Sequence, residues 1–205
     1  MGAAGIFTGI SSPNRSLPPD VGDSFKDILR EAGEHFDAVV AEQPQNLRCG
    51  IACTMCCHGL FEIGAADVAV IAEALPRLDP AVRETILARA EAVAAATDHP
   101  NLREVSEAER EAFFERTENL PCPALDDEGR CSIYEFRPLV CRTFGLPIRE
   151  GSRYIGEECE LNFTAASQDE KERAAWDLLR EDILGPEDQF TVPEALLIAG
   201  RLANP

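Results

Sequence analysis

The sequence predicts a mainly α fold in which amphipathic helices wrap an irregular, cysteine-rich centre with short hairpins. Three observations carry this. Apolar residues recur at three and four along several stretches, strand-like segments are few and short, and the eight cysteines lie in irregular stretches broken by Pro and Gly. No segment repeats at a solenoid period.

Residues 1–21, rich in Pro, Gly and Ser, read as a flexible N-terminal arm, and 22–205 as a single helical domain containing the cysteine-bearing region 49–163. From Asp20 to Gln43, the residues Phe25, Ile28, Leu29, Ala32, Phe36, Val39 and Val40 form an amphipathic stripe, which Pro44 ends. A second helix enters at Asp67 and runs to Leu75, where Pro76 stops it. Asp79 followed by Pro80 reads as N-cap and first helical residue of a long helix to Ala96, with Val82, Ile86, Leu87, Ala90 and Val93 on one face. Ser106 with Glu109 is a capping box opening a helix through Phe113 and Phe114. Between Leu120 and Cys131 the prolines around Cys122 and the acidic turn at Asp126 to Gly129 predict a small knuckle or hairpin. Pro138 suits the first turn of a short helix carrying Cys141 and Arg142, and Gly151 a turn before Cys159. Asp169 to Leu184 is expected as a helix with Trp176, Leu179 and Ile183 inward, and Pro193 to Leu202 as the last one.

Acidic residues outnumber basic ones 37 to 19, a net charge of -18, so most of the surface would repel a phosphate backbone and no nucleic-acid partner is expected. No stretch approaches the ~18 apolar residues of a membrane helix. The start lacks a basic segment followed by a clean apolar one, and Ile6 stands where a myristoylation signal needs Ser or Thr. The expectation is a cytoplasmic protein without a membrane partner, in a compartment that keeps thiols reduced.

Reduced thiols in this density point to metal. An ion such as zinc takes about four soft donors at roughly 2.3 Å, and a Cys-x2-Cys turn aims two sulfurs at one point. Cys53 and Cys56 have that spacing, and Cys49 lies one helical turn before Cys53. Cys56 and Cys57 are direct neighbours whose side chains diverge by about 100° in a helix, which suits two metal positions or one multinuclear centre better than one small ion. Cys122, Cys131, Cys141 and Cys159 are separated by eight, nine and seventeen residues, so only folding can gather them. Interleaving of the two groups, with Cys57 turned toward the distal cysteines, is the expected arrangement. Arg48, Arg130 and Arg142 each adjoin a cysteine and are candidates to offset thiolate charge. His58 is a lesser candidate, since eight thiols leave it no obvious vacancy. His35 and His99 read as structural or solvated, and Tyr134 and Phe144 as packing that shields the centre.

"CxxxCxxCC" at 49–57 followed by "CPALDDEGRCSIYEFRPLVCRTFG" at 122–145, with "CELNF" beyond, resembles the YkgJ-like cysteine-cluster family, the CxxCxxCC zinc- or iron-chelating domain also found in flagellin lysine N-methylases. The resemblance implies chelation of zinc or iron through Cys49, Cys53, Cys56, Cys57, Cys122, Cys131, Cys141 and Cys159. Many relatives have two residues where three separate Cys49 from Cys53.

Adjacent thiols favour iron, as an iron-sulfur cluster, with zinc the alternative cargo and redox or metal handling the role. A structural zinc protein presenting acidic helices to a protein partner is a second reading. Enzymatic readings are weaker. Cys49, Cys53 and Cys56 reproduce the radical S-adenosylmethionine spacing, but Met55 replaces the usual aromatic, no Gly-Gly-Glu-like segment follows, and no barrel pattern is present. A lysine N-methylase would need a methyl-donor site, and no Gly-rich loop follows a strand. No catalytic constellation stands out beyond the cysteines.

Overall fold

The computed structural model describes residues 23–50, 53–97, 102, 104–180 and 189–203. The arm expected at 1–21 and the inward Ile183 lie outside them. Seven α-helices and five short strands are found among the described residues, so the mainly α class holds.

Helix α1 (Asp23–Glu42) buries Phe25, Ile28, Leu29, Ala32 and Val39 as the stripe requires, while Val40 turns outward. Strand β1 (Glu62–Gly64) leads into α2 (Ala65–Ala74), and α3 (Pro80–Ala96) opens with Asp79 accepting from the Ala81 N–H at 2.8 Å. Ile86 and Ala90 of α3 are buried, but Val82, expected on the same face, is exposed. The capping box at Ser106 opens α4 (Glu107–Thr117), which buries Phe113 against Leu60 and Leu102.

Helix α5 (Leu139–Thr143) precedes strands β2 (Ile148–Glu150) and β3 (Arg153–Gly156), an antiparallel pair turning through Gly151. Gly151 sits at φ +58°, which glycine adopts freely. Helix α6 (Gln168–Ala174) is shorter than expected. Ala175 takes an extended conformation, and the chain continues as β4 (Trp176–Asp177), parallel to β2. Tertiary pairing overrides helical periodicity here. The Trp176 N–H donates to Pro147 O at 2.8 Å, and its indole inserts among Phe25, Ile28, Leu29 and Leu139. Leu179, expected inward, falls in a 3-10 turn and is exposed. Strand β5 (Gln189–Thr191) pairs antiparallel with β1, Phe190 facing Ile63, and leads into α7 (Val192–Ala203).

The largest apolar cluster joins α2, α3 and α7, with Cys122 and Cys131 packed on its edge. A smaller one gathers Val39, Leu47, Leu146, Phe163 and Ala174. Cysteine-bearing segments contribute residues to both clusters, so burying the apolar faces also fixes where the thiols stand.

Candidate metal centre

Backbone pairing brings the distant cysteines together. Met55–Cys57 form a 3-10 turn, and beyond it Cys57 O accepts from the Cys122 N–H at 2.7 Å while the Gly59 N–H donates to Leu120 O at 2.8 Å. The two strips run antiparallel, joined at the His58–Pro121 bridge. The chain after Cys122 folds back on itself. The Leu125 N–H donates to Cys122 O at 2.9 Å, the Ser132 N–H donates to Ala124 O at 2.8 Å, and Leu125 bridges Cys131. The Asp126 carboxylate closes this turn by accepting from the Glu128 and Arg130 N–H groups at 3.0 and 2.7 Å. Arg89 of α3 clamps it from outside through Leu125 O and Asp127.

Cys141 lies in α5, whose first N–H, that of Leu139, donates to the buried Asp67 of α2 at 2.9 Å. Cys159 sits in a loop between two residues with positive φ, Glu157 at +64° and Phe163 at +54°. For a buried phenylalanine this backbone costs about 1–2 kcal/mol. It is held by the Phe163 N–H donating to Asn46 O at 2.6 Å, which docks the loop beside Cys49.

All eight cysteines are free thiols, each residue keeping some contact with solvent. Burial pushes the Cys122 thiol up to about 11, opposed by the nearby backbone N–H groups of Ala124 and Leu125 and reinforced by the charges of Cys131 and Cys56. Burial raises Cys131 as well, against a hydrogen bond from the Ile133 N–H and the charge of Arg137. Cys141 is driven far up by burial and then by Cys122, Cys131 and Cys56. Cys56 is raised first by its hydrogen bond with Cys57 and then by burial. These couplings define one group: Cys56, Cys122, Cys131 and Cys141, with Cys57 attached through Cys56.

A second group is centred on Cys49. Burial raises its thiol, Asn162 opposes, and Cys53, Cys159 and Cys56 add to the rise. Cys49 Sγ and Cys159 Cβ both lie against Gly145, at 3.4 and 3.6 Å from where a side chain would begin there. The N-terminal and distal cysteines therefore interleave. Cys56 is coupled through its thiol to Cys122, Cys131 and Cys141, Cys57 meets Cys122 through its backbone carbonyl, and Cys159 joins Cys49.

The neighbouring cations are not the expected ones. Arg130 is turned to Asp126 and Glu128, and Arg142 spends its guanidinium on the carbonyls of Arg137 and Glu135. Arg48 contributes a backbone N–H, to Asn162 Oδ1 at 2.9 Å. Arg137, not adjacent to any cysteine, is the cation that lowers both Cys56 and Cys131. It lies 3.7 Å over the Tyr134 ring and donates to Tyr134 O at 3.0 Å. Tyr134 is 56% exposed and so supports Arg137 rather than shielding the thiols. Phe144 packs edge-on to Phe61. His58 Nδ1 donates to Thr54 O at 2.9 Å from an exposed position.

Sequence reading missed Arg137, Gly145 and Asn162. All three stand inside the quoted motif, where the only signal was their proximity to cysteines. Among the described residues, no set of three or more His, Cys, Asp or Glu side chains is drawn up into a ligand shell. What is present is a set of soft donors in two coupled groups, with backbone N–H groups near Cys122 and Cys131 favouring their charged forms.

A family model described as "Putative zinc- or iron-chelating domain", under the heading CxxCxxCC, matches residues 48–160, more than half of the chain. No curated protein and no solved structure matches the chain significantly.

Proposed function

The chain belongs to the CxxCxxCC family of zinc- or iron-chelating domains, and from that premise we propose that its cysteines carry iron, as an iron-sulfur cluster, for a redox or metal-handling role in the cytoplasm. The donor set fits such cargo in kind. Thiolates are the ligands of iron-sulfur clusters, and backbone N–H groups directed at sulfur stabilise the thiolate over the thiol. Cys56, Cys122, Cys131 and Cys141 would hold the cargo on one side, Cys49, Cys53 and Cys159 on the other, with Cys57 beside Cys56. The bound group would supply electron exchange or simple storage of metal.

The observation that carries the proposal is the adjacent pair Cys56 and Cys57 in one 3-10 turn, with Cys56 electrostatically coupled to Cys49 as well as to Cys122, Cys131 and Cys141. Neighbouring thiols serving two groups suit several metal atoms better than one. The residues have definite tasks. Arg137 offsets negative charge beside Cys56 and Cys131, and Asp67 fixes the start of α5 so that Cys141 faces Cys122 and Cys131. Loading must displace thiol protons and draw the sulfurs inward, which couples binding to folding.

Metal analysis joined to a visible spectrum, on protein purified without oxygen, tests this. Brown protein with iron and acid-labile sulfide is the expected result. Stoichiometric zinc without iron would leave chelation standing and overturn the cluster. Protein that retains neither metal and accepts neither would overturn both. No helix among the described residues is long and apolar enough to cross a membrane.

A further inference from the structure

We infer that Asn162 is a positioning residue for Cys49: its side-chain amide donates to the Cys49 sulfur and thereby builds Cys49, Cys53 and Cys159 into a second thiolate site, distinct from the group around Cys122. The inference rests on the chelating function proposed above and deepens it.

Asn162 is 3% exposed, and every part of its amide is used. Oδ1 accepts from the Arg48 N–H at 2.9 Å, while Nδ2 donates to Gly145 O at 2.9 Å and to Cys49 Sγ at 3.3 Å. One side chain thus ties the segment entering Cys49, the loop after α5 and its own loop carrying Cys159. A neutral thiol is a weak acceptor, whereas a thiolate is a strong one, so an amide hydrogen placed on sulfur acts mainly on the charged, metal-binding form. The thiol form is also accommodated, because Cys49 can instead donate to Oδ1 at 3.8 Å.

The surroundings are built for this amide. Gly145 has φ +92°, and a side chain there would begin 2.7 Å from Asn162 Nδ2. Just past it, Phe163 holds a left-handed backbone while fully buried. A backbone that only glycine adopts freely and a strained phenylalanine therefore meet at the place that presents Asn162 to Cys49. Hydrogen bonds to ligating sulfur orient the ligand and tune what it holds, and losing such a partner commonly weakens metal binding about 10–100-fold.

The test uses the full chain under anaerobic conditions with cobalt(II) as probe, since sulfur-to-cobalt charge-transfer absorption reports bound thiolates. Asn162→Asp keeps the shape but puts a carboxylate oxygen where the N–H stood. It should weaken cobalt binding about 10–100-fold and lose the same share of charge-transfer absorption as Cys49→Ser. Adding it to Cys49→Ser should lose nothing more, whereas adding it to Cys131→Ser should. Asn162→Gln, which restores the donor, should recover part of the loss. A wild-type spectrum in Asn162→Asp, or full additivity with Cys49→Ser, would overturn the inference while leaving chelation intact. Wild-type protein that takes up no cobalt would overturn the chelating function itself. Should the Asn162 variants not fold, alkylation of wild-type protein followed by mass spectrometry decides. Cobalt should protect Cys49, Cys53 and Cys159 together as one step, and a Cys49 equally reactive with and without cobalt would refute the inference.

Discussion

Replacing Gly145 by Ala loads the joint between the Cys49 and Cys159 segments directly. The residue sits at φ +92°, where a side chain costs about 1–2 kcal/mol. The new methyl would stand 2.7 Å from Asn162 Nδ2, closer than the two atoms can approach, so the amide must move. That breaks its bond to Gly145 O and strands a buried donor, adding about 1–3 kcal/mol. The sum is about 2–5 kcal/mol, or roughly 4–20 °C in melting temperature for a chain of this size. Gly50 provides the internal control, because among the described residues a methyl there meets nothing within 4 Å. Gly50→Ala should stay within about 0.5 kcal/mol of wild type. Thermal unfolding by circular dichroism, in parallel with zinc or iron content, measures both. A Gly145→Ala protein that melts within about 2 °C of wild type, below the range derived from conformational strain, would refute the view that this loop is sterically locked to Asn162.

Cys56→Ser and Cys141→Ser should each lower metal content and increase susceptibility to protease, because closing the site and folding are coupled. Unchanged metal stoichiometry in both would contradict that role. His58→Ala should leave the metal in place, since its ring is exposed and bonded only to Thr54 O among the described contacts. A spectral change on loading would make it a ligand. Asp177→Asn should be less stable than wild type at pH 7. The carboxylate is held below its usual range by the Gly151 N–H, with the Leu179 N–H and Arg149 helping against burial. A depressed folded-state pKa stabilises above the unfolded value of about 3.9 and loses that stability as pH falls through the folded value. The gap between the two proteins should therefore close below about pH 4 in acid unfolding curves.

The helices were legible where local rules act alone. Asp79 with Pro80 and Ser106 with Glu109 marked helix starts that the fold uses, because capping is decided within one turn of chain. Trp176 is buried as expected but in a strand instead of a helix, because nothing local announces a parallel strand. Its extended backbone is set by Pro147 and Ile148, far away in sequence. The thiol region divides in the same way. Residue types and spacing gave the eight candidate cysteines, and neighbour arguments proposed Arg48, Arg130 and Arg142. The guanidiniums of Arg130 and Arg142 went elsewhere because carboxylates and carbonyls nearby were better partners than sulfur. Arg137 and Asn162 reach the thiols only through tertiary folding, so adjacency along the chain could not single them out.

The hydrogen bond from Cys122 to Cys57 has a consequence for biosynthesis. The two residues are 65 positions apart, 122 minus 57. At ribosomal speeds of about 5–20 residues per second, Cys57 waits roughly 3–13 s for its strip partner to be made. During that interval four nascent thiols stand without their final neighbours, open to oxidants and to stray metal. Delivery of cargo in the cell thus becomes a race with translation, and slowing the ribosome between the two strips should cost loaded protein even when the finished sequence is unaltered.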